Sequence, residues 1–510
     1  MSEAVAPENR RLLTCCVVLA VIMQALDTTI ANVALPYMQG SVSASADQIN
    51  WVLTSYIVAA AIMTQPSAFL ARRFGRKRVL LTAIIGFVLA SMLCGFAQSL
   101  EQIIAFRLLQ GFAGAALVPL SQSIMLDSYS LKERGSAMAL FGVSVMVGPV
   151  LGPVLGGWLT EHLNWRWVFF INLPIGLLAF VGLMKYVSET PVDRDTRLDW
   201  LGFASLSIAI LAFQLFLDRG EQLDWFSSGE ILLELVVAMV ATYVFLVHTF
   251  TADKPFISPS LFKDRNFALG VVFIFIIGIT YLASLALMTP YLQKLMGYPV
   301  LEAGLAMGPR GLGTMFTMFL AGRLIGKVDT RWLLFVGLAL SALSMHWMSA
   351  WTPDVSLQTL ILVGFVQGAS LGLLFVPLNT IAFATLDPKL RADGTGLFSL
   401  SRNVGSSVGI SLVTVLLTRN TQVFHEQIGG LVTPFNRALE SWQASTWLSP
   451  DSAAGRALLD QTITYQATSM AYLNDFKLLM LLAIAVMPLL LFLRPGISAQ
   501  VVDKEAMIMD

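Results

Sequence analysis

The chain has 510 residues, 56% of them hydrophobic and 13% charged, against roughly 25% charged in soluble domains. With a mean hydropathy of +0.73, that composition excludes a soluble globular fold. Lys+Arg and Asp+Glu each number 32, so no net charge favours nucleic acid or an acidic partner. Cys15, Cys16 and Cys94 sit in apolar runs without Cys-x-x-Cys spacing, which speaks against a disulfide framework or metal site.

Arg10 and Arg11 precede an apolar run that reaches Pro36 and contains Asp27, too long and too polar for a cleaved signal; it is the first predicted span. A hydrocarbon core of about 30 Å takes roughly 20 apolar residues per helix. Runs of that kind fall near 12–35, 50–70, 79–98, 102–126, 136–160, 167–187, 200–217, 230–250, 267–290, 300–321, 332–350, 356–381, 394–417 and 477–494. An open sheet edge does not survive in lipid, so the expected fold is an all-α integral membrane bundle of about fourteen spans.

Basic residues orient it. Arg72, Arg73, Arg76, Lys77 and Arg78, Lys132 and Arg134, Arg194 and Arg197, Arg323 and Lys327, and Lys389 and Arg391 fall on one side; few fall on the other. That places both termini in the cytoplasm, with the bacterial inner membrane as the expected location. The connection at 419–476 is predicted to be a large extracytoplasmic loop, and loops of that length are commonly functional or disordered.

An internal repeat runs at an offset of 257 residues: Gln110-Gly111 onto Gln367-Gly368, Arg134 onto Arg391, Gly148 onto Gly405, and Gly152 onto Gly409. The predicted organisation is therefore a six-helix bundle at 1–190, two inserted helices at 191–260, and a second six-helix bundle at 261–510. Parallel repeats of this kind build transporters whose halves rock about a central site.

Four motifs carry chemistry. In the first span, Gln24, Asp27, Thr28 and Asn32 recur at intervals of three to four and share a helical face. An Asp at mid-membrane costs roughly 2.5–3.5 kcal/mol on insertion scales, so Asp27 reads as a protonatable site or as a helix-bridging acid. In the fourth span, Arg107 and Gln110 lie beside Gly111 and Gly114, placing a fixed cation where it stabilises an ionised Asp27. The fifth carries Gly148, Pro149, Gly152, Pro153, Gly156 and Gly157, a smooth ridge with two missing backbone donors. Between spans two and three, Arg73, Gly75, Arg76 and Lys77 form a tight basic turn.

At these residues the chain resembles the major facilitator superfamily, specifically its fourteen-span EmrB/QacA-like drug:proton antiporters. The first-span motif matches from Leu26 to Pro36, the fourth-span motif at Arg107, Gln110 and Gly111, and the antiporter motif at Gly148, Pro149, Gly152, Gly156 and Gly157. Trp165 to Pro174 also resembles the entrance to span six. The family's Gly-x-Leu-Ala-Asp-Arg-x-Gly-Arg-Lys loop is partly kept, with Ala68 in place of its glycine and Arg72 in place of its aspartate. The resemblance implies proton-coupled efflux of hydrophobic or amphipathic molecules, with Asp27 and Arg107 coupling protons. The EmrB-like branch works with a periplasmic membrane-fusion adaptor and an outer-membrane channel, whereas QacA-like members act alone.

The expected substrate cavity is lined by Gln24, Thr28, Asn32 and Gln110 from the first bundle and Arg310, Arg402 and Asn403 from the second; the two arginines attract anionic substrates or else anchor helices by snorkelling. The alternative reading is a dedicated exporter of one anionic metabolite or fatty acid. Gly368-Ala369-Ser370-Leu371-Gly372 fits a hydrolase pattern but lies in an apolar run, away from any strand-to-helix elbow. The sequence carries no phosphate-binding Gly-x-x-x-x-Gly-Lys motif, and His162, His248, His346 and His425 lack metal-ligand spacing. Neither a cofactor nor an enzymatic step is expected.

Overall fold

A computed structural model describes residues 7–49, 51–130, 133–194, 197–220, 223–253, 255–352, 354–387, 390–432 and 452–494. Helices occupy every predicted span. In chain order they are α1 (Pro7–Ser41), α2 (Trp51–Thr64, continuing as Ser67–Phe74), α3 (Arg76–Phe96), α4 (Leu100–Ser128), α5 (Arg134–His162), α6 (Trp167–Tyr186) and α7 (Trp200–Arg219). There follow α8 (Gly229–Thr251), α9 (Arg265–Leu295), α10 (Val300–Leu324), α11 (Thr330–Met348), α12 (Leu357–Ala382), α13 (Arg391–Gly429) and α14 (Ala453–Val486). Eleven described helices are long and apolar enough to cross a membrane, and α2, bent by 52°, makes a twelfth. Side-chain caps fix several starts: Ser99, Asp199, Asp264, Ser356 and Ser452 each accept a backbone N–H from the first turn of α4, α7, α9, α12 or α14.

The repeat is visible in the packing. A Cβ on Gly148 would strike the Ala25 carbonyl and one on Gly152 the Thr29 hydroxyl, so α5 lies directly on α1. A Cβ on Gly405 would strike the Phe275 carbonyl and one on Gly409 that of Ile279, so α13 lies on α9 in the same way. Gly111 brings α4 onto α2 at Tyr56, and its repeat mate Gly368 brings α12 onto α10 at Arg310. Gln122 and Asn379, also 257 residues apart, meet directly with Nε2 donating to Oδ1 at 2.6 Å. A contact between repeat mates marks the axis that relates the two bundles. The α7–α8 hairpin packs beside α2 and α13, where Leu206 and Ile210 meet Ala61 and Leu400.

One prediction needs correction. The segment 419–476 is not a loop throughout: α13 continues to Gly429 and α14 begins at Ala453. Residues 433–451, including Phe435, Trp442 and Trp447, lie outside the described set. Gly455, Leu459, Ala467 and Ala471 are buried at multiples of four along α14, a helical stripe that a hydropathy window averages with its polar face. The 39 residues of α13 extend roughly 58 Å, about twice the hydrocarbon thickness. The two helices therefore project as a hairpin, tied by His425 Nε2 to Asp460 Oδ1 at 3.0 Å.

The glycine contacts predict a stability pattern. Gly152→Leu and Gly409→Leu should each cost about 1–3 kcal/mol, whereas Gly157→Ala, with nothing within 4 Å of the added Cβ, should leave the melting temperature unchanged. Scanning fluorimetry of the purified variants checks this; an equal loss at all three positions would contradict the assigned helix contacts.

Candidate functional site

Asp27 lies in α1 and Arg107 in α4, and their side chains form an ion pair at 2.7 Å with each only 1% exposed. Three donors converge on the carboxylate: Arg107 Nη1 on Oδ2 at 2.7 Å, and Gln110 Nε2 and Asn172 Nδ2 on Oδ1, both at 2.8 Å. Arg107 also donates to Gln110 Oε1 at 2.8 Å and, through Nε, to the Val52 carbonyl at 3.2 Å. Its guanidinium stacks 4.2 Å from the Tyr56 ring. Hydrogen bonds with an ionised donor or acceptor are shorter and stronger than neutral ones, so this network fixes the carboxylate in place between α1, α4 and α6. Asn172, which also donates to Ser91 Oγ at 2.9 Å, was not among the expected site residues, nor was Tyr56. The available signal for Asn172 was an amide inside an otherwise apolar span.

A cavity of about 340 Å³ lies between the bundles. Gln24, Thr28 and Tyr56 line it from the first bundle, and Tyr281, Arg402 and Asn403 from the second. Asp27 and Arg107 do not line it, and neither does Gln110, which was expected to: Gln110 is fully buried against Asp27 and Arg107. The three sit behind Tyr56, whose hydroxyl accepts from Gln24 Nε2 at 3.4 Å. The shared face expected for α1 is thus divided, with Gln24 and Thr28 toward the cavity and Asp27 turned to α4 and α6. Asn32 lies one turn beyond Thr28 and is exposed.

Arg310 is not brought to the cavity surface. It is buried behind Tyr281, 4.5 Å from that ring, with Nη2 donating to Ser284 Oγ at 2.8 Å and to the Tyr281 carbonyl at 3.2 Å. Its Nε and Nη1 find no partner among the described residues. Gly148 and Gly152 form the α1 contact described above, and Gly156 approaches Ile30 and Val33. Pro149 and Pro153 lie within α5, and their side chains are outside the described set. Asp475 in α14, buried with both carboxylate oxygens unpartnered among the described residues, was not anticipated.

The basic turn closes one end of the molecule. Gly75 takes φ 93°, a conformation that glycine adopts without strain, and Lys77 N donates to Glu189 Oε1 at 3.1 Å. Arg73 donates to the Arg194 carbonyl at 2.9 Å. From this turn Arg72 reaches across to Asp393 in α13 at 2.6 Å, while Arg76 and Arg391 both pair with Asp127, at 2.8 and 3.2 Å. Arg10 pairs with Glu133 at 2.9 Å and Asn266 accepts from Arg494 N at 2.9 Å, so both ends of the described chain lie here.

Two parallel repeats around a shared cavity, closed at one end by contacts between bundles, define a secondary transporter. The chain belongs to the Major Facilitator Superfamily, whose family model matches residues 17–410. It is 36% identical to the fatty acid resistance protein FarB of Neisseria gonorrhoeae, over 94% of each chain. It is 35% identical to the multidrug export protein EmrB of Escherichia coli K12, over 96% of each. Among solved structures, the human organic anion transporter MFSD10 shares the fold at a TM-score of 0.58 and 16% identity, over 93% of this chain and 99% of that one.

Two sets of variants test the geometry. Arg107→Ala leaves a buried carboxylate without its cation and should destabilise by about 3–5 kcal/mol; adding Asp27→Asn should recover part of that loss, and a purely additive double variant would remove the coupling. At the closed end, Arg72→Asp and Asp393→Arg should each lower stability, and the double exchange should restore it. Thermal denaturation reads both sets.

Proposed function

We propose that this protein exports hydrophobic and amphipathic small molecules across the bacterial inner membrane by alternating access, driven by protons entering through Asp27. The observation that carries the proposal is the buried Asp27 carboxylate, held by Arg107, Gln110 and Asn172 one side chain away from the cavity. Protonation weakens the ion pair with Arg107 and frees α1, which lies against α5 through the glycine ridge. Deprotonation restores it. The basic end is assigned to the cytoplasm by the charge rule, so Arg72–Asp393 and Arg76–Asp127–Arg391 seal the cytoplasmic entrance in this conformation. One charge crossing 100 mV supplies about 2.3 kcal/mol, and each pH unit about 1.36 kcal/mol, enough for one or two protons to sustain a substantial gradient. Apolar cavity residues such as Val118, Met146 and Phe375 favour broad selection, because a flexible thioether repacks around different shapes.

Membership of the family and relatives named as multidrug export proteins support export as the direction of transport. In proteoliposomes the wild type should build a substrate gradient from an imposed pH difference, and Asp27→Asn should lose it while remaining folded. Arg107→Lys should retain a fraction, because its ammonium lacks the planar fork. A wild-type rate in Asp27→Asn would remove Asp27 from coupling.

We also assign the projecting α13–α14 hairpin to a periplasmic membrane-fusion adaptor that leads to an outer-membrane channel. Its length beyond the bilayer and the partly exposed Val423, Leu458 and Tyr465 support this docking. Replacing residues 425–465 with a Gly/Ser linker should preserve transport in vesicles while lowering whole-cell resistance and adaptor crosslinking together. Full resistance in that variant would overturn the assignment.

A further inference from the structure

We propose that the preferred cargo is an amphipathic anion, seated with its negative group on Arg402 and its apolar body against the facing wall; this rests on reading the cavity as the substrate site. The repeat itself exposes the asymmetry. Arg402 and Asn403 are the repeat mates of Val145 and Met146, and all four line the cavity. Equivalent positions are therefore a cationic, hydrogen-bonding wall on α13 and an apolar wall on α5. That is the polarity of a head-and-tail molecule.

Arg402 is the one charged residue among the described lining residues. Among the described residues its guanidinium forms neither an ion pair nor a hydrogen bond. An arginine stays protonated in proteins, and an uncompensated cation at membrane depth is costly unless a counter-ion or water reaches it. The acid behind Tyr56 is committed elsewhere, since Asp27 is bound to Arg107 at 2.7 Å. A second cation of the same sign, Arg310, stands behind Tyr281 with no carboxylate partner among the described residues. The charge on that wall attracts anions and opposes organic cations, and low-dielectric surroundings strengthen both effects. A planar guanidinium fork fits a carboxylate or sulfonate in two-point contact. The volume of about 340 Å³ falls at the small end of ligand sites, which fits one such molecule.

The test measures binding to purified full-length protein at pH 8, using a ten-carbon carboxylate, its methyl ester and the matching primary amine. Calorimetry with the wild type should rank carboxylate over ester over amine. Arg402→Gln should weaken the carboxylate by about tenfold or more and the ester far less, with Arg402→Lys between. Equal affinity for carboxylate and ester in the wild type, or equal loss of both in Arg402→Gln, would overturn the proposal; the wild-type ranking decides even if the variant fails to fold. Because an anionic lipid headgroup carries the same chemistry, phosphatidylglycerol is titrated in parallel. Competition by that lipid with no carboxylate binding would assign Arg402 to lipid and also overturn the proposal. Export of the ester into proteoliposomes separates the two levels: if it persists while charge preference is absent, efflux stands and the cargo class falls. If neither molecule is transported, the export reading itself fails.

Discussion

The buried ion pair between Asp27 and Arg107 is the constraint around which the first bundle is arranged. Either charge alone is costly at that depth, and α1 and α4 hold the pair at 2.7 Å with further donors on the carboxylate. Asn172 brings α6 into the same network, and Val52 contributes a carbonyl from α2. Tyr56 covers the arginine and separates the network from the cavity. The glycine ridge of α5 has its place in the same economy of space. Close approach to α1 at Ala25 and Thr29 flanks Asp27 on either side, so a movement of α5 is felt directly by the helix that carries the acid.

The second bundle keeps the frame and changes the chemistry. Ser284 stands at the repeat position of Asp27, Gln367 at that of Gln110, and Gly364 at that of Arg107. A cation nevertheless returns from α10, where Arg310 donates to Ser284 Oγ, and no carboxylate pairs with it among the described residues. One half thus carries a neutralised pair and the other a net positive wall. The closed end shows a comparable exchange. Arg72 stands where the family loop has aspartate, and the acid is found across the interface at Asp393.

Much of the fold was legible because spans and motifs are properties of local sequence. Twenty apolar residues declare a helix, and an acid within them declares a partner. Arg107 was readable as that partner, whereas Gln110 was expected at the cavity and instead donates to the acid; Asn172 offered only an amide in an apolar span, and Tyr56 carries no signal until α2 is placed. Helical periodicity grouped Asp27 with Gln24 and Thr28, yet a narrow difference in angle sends Asp27 into the bundle and its neighbours to the cavity. Arg310 and Arg402 looked alike in sequence, and only the interposed ring of Tyr281 distinguishes them. The α13–α14 hairpin was hidden because helices outside lipid alternate polar and apolar faces, and hydropathy averages them away. Asp475 was passed over for the same reason, at the edge of a span whose helix begins far earlier.

The central claim is that the protonation state of Asp27 sets which end of the cavity is sealed. Spin labels placed on the exposed surfaces of α3 and α13 near the basic end, with distances recorded by double electron–electron resonance across a pH series, test it without any substrate. Wild-type protein should show its distance distribution shift with pH between a closed and an open basic end, and Asp27→Asn should hold one distribution throughout. A pH-dependent shift of wild-type size in Asp27→Asn would contradict the account.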